Sequence, residues 1–361
     1  MDFSPTELQR ELATGTREVL DRHCPPAVVR AAWEKPAPGS TWPDALWAAL
    51  AELGLPGALV PEVAGGLGLT VSDLLPALVE TGRAGVPAPV VETALVAVPL
   101  LLAVGDEALA GRIADGETVV TAAPAGEPVP WTGSSGLALL LDPAPADPPT
   151  AHLVAQADLG ALPLPAVDGS RPLARVDWPT AVPLTTDPAL VRAARLRGAL
   201  GAAAQLIGLA ERQLEMTVGY VAQRHQFGVP VGSFQAVKHH LADALLGVRF
   251  AEPAVRRAGL ALDADPVAEQ PDTVMAVSMA KALASDAADV VSRTAIQCHG
   301  AIGYTDEYDL QLYAKRTWAL AAAWGTAGEH RDAYGDAIGL PGAYRAAGRV
   351  HHDQQEEREP R

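Results

Sequence analysis

The chain has 361 residues, 27 Lys and Arg against 43 Asp and Glu, a formal net charge of −16, and 49% hydrophobic against 19% charged residues. That much apolar side chain excludes a disordered chain, since burying it offsets the ordering entropy. The acidic balance excludes a general binder of nucleic acid or anionic membrane, both of which call for clustered Lys and Arg. At about 150 residues per domain the length predicts two or three domains, each large enough for its own core.

The first residues read as an amphipathic helix capped near Ser4, with acids early, unlike a signal peptide. Apolar residues recur at three and four up to about Ala114, as in Leu46, Ala49, Leu50 and Leu53, or Leu74, Leu75, Leu78 and Val79, which predicts a helical domain over 1–114. Its breaks are turn clusters at Lys35–Gly39, Gly54–Gly57, Gly65–Gly68 and Val86–Pro89. The longest apolar run, Ala94–Val104, is too short to span a bilayer and contains Pro99, so a soluble cytoplasmic protein is expected. Between 115 and 186 the pattern changes to short apolar runs, Thr118–Thr121, Leu137–Leu141 and His152–Ala155, separated by Pro, Gly, Asp and Ser; this predicts a small β-domain. Long helical segments return at Ala189–Gln223, Ser233–Ala264 and Asp272–Gln297, and predict a helical bundle over 187–344, followed by a polar tail at 345–361. The fold class is mostly α with a small β-domain.

Few motifs carry chemistry by themselves. Cys24 and Cys298 lie far apart with no metal-type spacing, and are expected to be buried thiols. His239 and His240 are adjacent on a helix and point in different directions, and His351–His352 sits in the tail, so no metal site is expected. Gly65–Gly68 lacks the preceding strand and following Lys of a phosphate loop and reads as a turn. Arg224 and Phe227 end one long helix, Gly228, Pro230 and Gly232 turn the chain, and Ser233 is expected to cap a second helix carrying Gln235. A guanidinium, an aromatic face and helix-terminal N–H groups at one corner suit a nucleotide diphosphate. Gln297–Gly303 ends the next long helix with glycines that admit a ligand to the backbone, or that serve as a plain C-cap.

Together, the RxxFG turn followed by GSFQAVKHHLAD, the segment QCHGAIGYTDEYDL, and near the N-terminus LAELGLPGALVPEVAGGLGL and ETGRAGVPAP resemble the acyl-CoA dehydrogenase family over nearly the whole chain. The resemblance implies an N-terminal helical domain, a middle β-domain and a C-terminal four-helix bundle. It also implies FAD shared across a subunit interface. Arg224, Phe227, Gln235, Gln297 and Gly300 would then face the adenosine and pyrophosphate of a neighbour's FAD, with Ala301 where the family usually has a second Gly.

The chain departs from the family where the substrate's α-proton is removed. Trp324 stands at the usual Glu position and Gly198, followed by Ala199, at the alternative one. Indole Nε1 only donates and cannot act as a base. Glu329 is expected on the far side of a helical turn and Glu307 in solvent. After Thr121 the family's Gly-Ser-Asp stretch is missing from Ala122–Glu127, and Trp131 echoes a Trp-x-Thr wall with Gly133 in the Thr position. The chain thus resembles the base-less subunit of actinobacterial heterotetrameric (α2β2) acyl-CoA dehydrogenases. That resemblance implies a Glu-bearing homologue as partner, an acyl-CoA in the partner's site, and an electron-transfer flavoprotein or similar acceptor. Two alternatives stand beside it: a self-sufficient enzyme with a relocated base or altered reaction, and a scaffolding pseudoenzyme.

Overall fold

The computed structural model describes residues 4–33, 42–124, 126–132, 136–141, 148–177 and 182–340. The turn at Lys35–Gly39, Gly133, the 345–361 tail and the His351–His352 pair lie outside them.

The N-terminal helical region comprises α1 (Glu7–His23), α2 (Pro26–Trp33), α3 (Asp44–Glu52), α4 (Val71–Ala84), a π-helical stretch Val91–Ala97 that continues into α5 (Val98–Ala103), and α6 (Glu107–Ala114). The cap of α1 is Thr6 rather than Ser4: its side chain accepts from the Gln9 N–H while Gln9 reaches back to the Thr6 N–H. This reciprocal pair satisfies two of the helix's free donors, which Ser4, two residues further out, does not. Thr70 and Asp73 start α4 in the same way, and Gly85 (φ +67°) ends it in the left-handed conformation. Gly65 and Gly68 are also left-handed and form a turn, as expected.

Six strands follow. β1 (Val120–Pro124), β3 (Leu137–Leu141) and β4 (Ala151–Ala155) form one sheet in the order β1-β3-β4, the first pair parallel and the second antiparallel. β2 (Val129–Pro130), β5 (Gly160–Leu164) and β6 (Leu173–Asp177) form an antiparallel sheet in the order β2-β6-β5. The run expected at Thr118–Thr121 enters the sheet only from Val120.

The C-terminal helical region is α7 (Pro188–Gln223), a hairpin of β7 (His225–Gln226) and β8 (Val229–Pro230), α8 (Gln235–Ala264), α9 (Pro271–His299), α10 (Leu310–Ala322) and α11 (Ala327–Ala337). α7 is the axis of the molecule. From Val191 to Ala210 it is buried almost continuously, against α4, the π-helical stretch, α9 and α10, so its sequence is apolar all round. Small residues let these helices approach closely. A Cβ at Gly82 would lie 2.1 Å from the Gln205 carbonyl oxygen, and one at Gly208 would lie 1.9 Å from that of Val79. Cys24 is buried, as expected, and burial pushes its thiol up to about 12; Cys298 is only half-buried. No helix among the described residues is long and apolar enough to cross a membrane.

Because backbone meets backbone at Gly82 and Gly208, no side chain can yield to an added methyl. Gly208→Ala should therefore lower unfolding stability by about 1–3 kcal/mol or more, read as a reduced midpoint in urea at unchanged slope.

Candidate functional site

The expected corner is real and faces outward. β7 and β8 pair Gln226 with Val229, which leaves a two-residue turn of Phe227 (φ +53°) and Gly228 (φ +81°). Two left-handed residues match the twist of a tight hairpin, but Phe takes that conformation at a steric cost. The result holds Phe227 out in solvent, 91% exposed, with its ring edge-on to Phe234 at 6.2 Å. Arg224 is the exposed C-cap residue of α7, and its carbonyl accepts from the Val231 N–H. Ser233 does not cap α8. Its hydroxyl donates to the Pro230 carbonyl, Phe234 occupies the cap position, and the α8 N-terminus is left without a side-chain partner, beginning at exposed Gln235.

The second segment lies beside the first. Tyr220, one turn before Arg224, stacks on His299 at 4.4 Å, and Tyr308 packs against both rings at 6.1 and 5.0 Å. His299 is fixed by its Nδ1–H donating to the Ala295 carbonyl, and burial lowers its proton affinity. This aromatic cluster ties the end of α7 to the end of α9. Gln297, Gly300 and Ala301 are all exposed at that end. Gly300 has φ +66°, and a Cβ there would meet nothing within 4 Å, so the space beside it is open from outside, while its N–H closes α9 by donating to the carbonyls of Ile296 and Gln297. All six residues expected around a nucleotide are thus accessible at one end of the bundle.

Positions 324 and 198 behave in the opposite way. Trp324 is 7% exposed, and its indole lies flat on Gly198: a Cβ on Gly198 would sit 2.4–2.6 Å from three ring atoms. The indole needs a turn in which Trp324 (φ +60°) and Gly325 (φ +96°) are both left-handed. Three groups hold that turn. Lys281, 0% exposed on α9, donates through Nζ to the carbonyls of Ala321 and Gly325 and to the Ser285 hydroxyl. His330 donates from Nε2 to the Trp324 carbonyl. Thr326 and Glu329 form a capping box that starts α11, and the hydrogen bonds from Thr326 hold the Glu329 carboxyl below its usual range. Glu329 is therefore engaged in helix capping, and Glu307 is exposed.

Next to Trp324 lies a small cleft of about 160 Å³ between β1, the β1–β2 turn and the end of α10, lined in part by Glu127 and Arg171. Near it the Trp131 ring lies within cation–π distance of two buried guanidinium groups, Arg171 at 5.3 Å and Arg316 at 5.9 Å. Arg316 is fully engaged with the Asp168 carboxylate, the Ser170 hydroxyl and the Val86 carbonyl. The sequence reading missed Lys281, Arg171 and Glu127. Lys281 sits in an alanine-rich helix and Arg171 in a Gly-Ser turn, and neither setting signals burial; Glu127 drew attention only for the residues missing around it. His239 and His240 are exposed, and the described residues contain no cluster suited to a metal.

Models of the acyl-CoA dehydrogenase N-terminal and C-terminal domains match residues 6–115 and 191–339. The acyl-CoA dehydrogenase IpdE2 of Mycobacterium tuberculosis is 33% identical over 331 residues, covering 88% of this chain and 93% of that protein. The chain belongs to the acyl-CoA dehydrogenase family. Among solved acyl-CoA dehydrogenase-fold structures, a chain of the ChsE4–ChsE5 complex from Mycobacterium tuberculosis superimposes with a TM-score of 0.80 at 22% identity, covering 94% of this chain and 99% of that one. A chain of a variant of the Tcur3481–Tcur3483 steroid acyl-CoA dehydrogenase superimposes with a TM-score of 0.80 at 25% identity, covering 92% and 97%. Across this family the fold is a helical N-terminal domain, a middle β region and a helical C-terminal domain, which is the architecture described above.

Two predictions follow from the Trp324 turn. Gly198→Ala should destabilise by about 1–3 kcal/mol through overpacking, whereas adding it to Trp324→Ala should cost nothing further, as a double-mutant cycle in urea would show. Burial pushes Lys281 down to about 7 from 10.5, so between those pH values the unfolded chain holds a proton that the native chain does not. Stability from this group is fully present above pH 10.5 and falls, on the order of a few kcal/mol, as the pH drops towards 7. Lys281→Met should lack that slope in urea unfolding across the same range.

Proposed function

We propose that this chain is the base-less subunit of a heteromeric, FAD-dependent acyl-CoA dehydrogenase, probing no substrate of its own and completing the FAD site of a Glu-bearing homologous partner in an α2β2 assembly. The observation that carries the reading is the contact of Trp324 with Gly198. The two positions at which the family resemblance places a catalytic carboxylate face each other here, and a side chain at one collides with the ring at the other. A carboxylate must reach the proton it removes, and neither position offers one.

The neighbouring cleft argues the same way. A space of about 160 Å³ lies below the ~300 Å³ of pockets that enclose drug-sized ligands, and is small for a three-ring flavin with an acyl thioester. The outward corner does suit FAD. Arg224 offers planar donors to a pyrophosphate, Gln235 and Gln297 offer amides, Gly300 and Ala301 leave room for close approach, and Phe227 offers a ring face to an adenine. FAD supplies the acceptor for the hydride that leaves the acyl chain's β-carbon. This chain's residues bind and orient it, and the partner's carboxylate takes the α-proton. That solved relatives occur as complexes of two such chains, one of them described as a steroid enzyme, supports a paired assembly acting on a bulky acyl-CoA.

Expressed alone, the chain should be colourless; coexpressed with a Glu-bearing homologue it should give a yellow complex with about one FAD per two chains. Full flavin occupancy of the chain by itself would sink the reading. In the complex, Arg224→Ala removes a charge-assisted contact worth roughly 1.5–3 kcal/mol, so FAD affinity should fall ~10- to 100-fold and turnover with it. Trp324→Glu should add no second active site, so turnover per complex should not double.

A further inference from the structure

The cleft beside Trp324 is small for flavin, yet its chemistry is that of a binding site. Its apolar walls include Ala122, Ala123, Ala319 and the Trp324 indole, and the charged side chains on it are Glu127 and Arg171. A cavity of about 150 Å³ with apolar walls takes up a benzene-sized molecule. Arg171 is only 6% exposed, and its Nε–H has no partner. Glu92 forms a buried ion pair with the other end of the guanidinium at 3.8 Å, and the Trp131 ring lies 5.3 Å from it, so Nε is the donor left open. Each nitrogen of Arg316, the other guanidinium at Trp131, by contrast has an acceptor. A buried guanidinium with one unpartnered N–H, on a residue that lines a cleft, is matched by an anion that accepts from that N–H.

We propose that this cleft binds a small monocarboxylate with a flat or short apolar body, its carboxylate on Arg171 and its body against the alanines and the Trp324 indole. The proposal rests on the half-site reading in one respect, that flavin does not enter the cleft. Glu127 sets a condition on it. Burial raises this carboxyl above its ordinary range, and it accepts from the Trp324 backbone N–H. The charged groups that face it are Arg171 from the turn before β6, Arg195 on α7, Lys281 on α9 and Glu329 on α11. Protonated, Glu127 donates to a carboxylate ligand; ionised, it repels one. Binding therefore takes up a proton and tightens as the pH falls.

The test is calorimetric titration of the full chain, alone and in the coexpressed complex, with benzoate and with benzamide. Benzoate should bind saturably at one per chain, more tightly at lower pH, and at least ~10-fold more tightly than benzamide. Arg171→Lys, which keeps the charge and loses the fork, should weaken benzoate by about 10-fold. Ala319→Leu, which fills the cleft, should abolish binding, and Glu127→Gln should remove its pH dependence. No saturable uptake below about 10 mM, or equal uptake by folded Ala319→Leu, would overturn the proposal. If the complex still holds one FAD per two chains in that case, the half-site reading survives the loss. FAD entering the cleft of the isolated chain would overturn both.

Discussion

The contact of one indole with one glycine organises this molecule's chemistry. Trp324 lies on Gly198 where α7 passes the α10–α11 turn, and the arrangement holds only because position 198 has no side chain. The turn itself is unfavourable, with Trp324 and Gly325 both at positive φ, and an isolated peptide would not keep it. Lys281, His330 and the Thr326–Glu329 box supply the hydrogen bonds that hold it. A fully buried lysine is a costly way to bind two carbonyls, and the cost appears as a proton affinity lowered to about 7. The strain is stored at one point and offset by α9, the helix that also carries Gln297 in its last turn.

The same helices separate an inward half from an outward half. α7 runs from the indole packed on Gly198 to the open corner at Arg224, and α9 from buried Lys281 to exposed Gln297. One end of α7 is packed so tightly that a methyl at Gly198 or Gly208 does not fit, and α9 buries Lys281 beside it; the other ends present exposed side chains, a strained hairpin and an open glycine. The stack of Tyr220, His299 and Tyr308 makes the open end rigid without covering it. Groups pre-placed on rigid helices lose little entropy when a ligand arrives, and exposure on this scale leaves room for a neighbouring subunit to bring one.

The middle region is anchored by charge as well as by apolar contact. Arg316 of α10 reaches Asp168 and Ser170 of the loop before β6 and Val86 after α4, so one guanidinium joins the β region to both helical regions. The Trp131 ring meets both this guanidinium and that of Arg171. A network of this kind is favourable only when its members are satisfied. Arg316 meets that condition and Arg171 does not, which is why the small cleft at Arg171 carries chemical meaning and the rest of the network reads as architecture.

Much of the fold could be read along the chain, because helices and strands announce themselves through period. The long helices expected at Ala189–Gln223, Ser233–Ala264 and Asp272–Gln297 are found at Pro188–Gln223, Gln235–Ala264 and Pro271–His299. The Arg224–Gln235 corner was legible for the same reason: its residues are close in sequence and their spacing is set by one turn. Caps were less so, since Ser4 and Thr6, or Ser233 and Phe234, differ only in which backbone N–H the chain brings within reach. The sequence by itself determined that positions 324 and 198 lack a base, since residue identity suffices for that. Only the tertiary structure decided that Trp324 rests on Gly198, that Lys281 is buried beneath it, and that Glu127 and Arg171 share a cleft. Those pairs are separated by 43 to 126 positions in the chain, and no local period encodes a contact that forms only when distant helices pack.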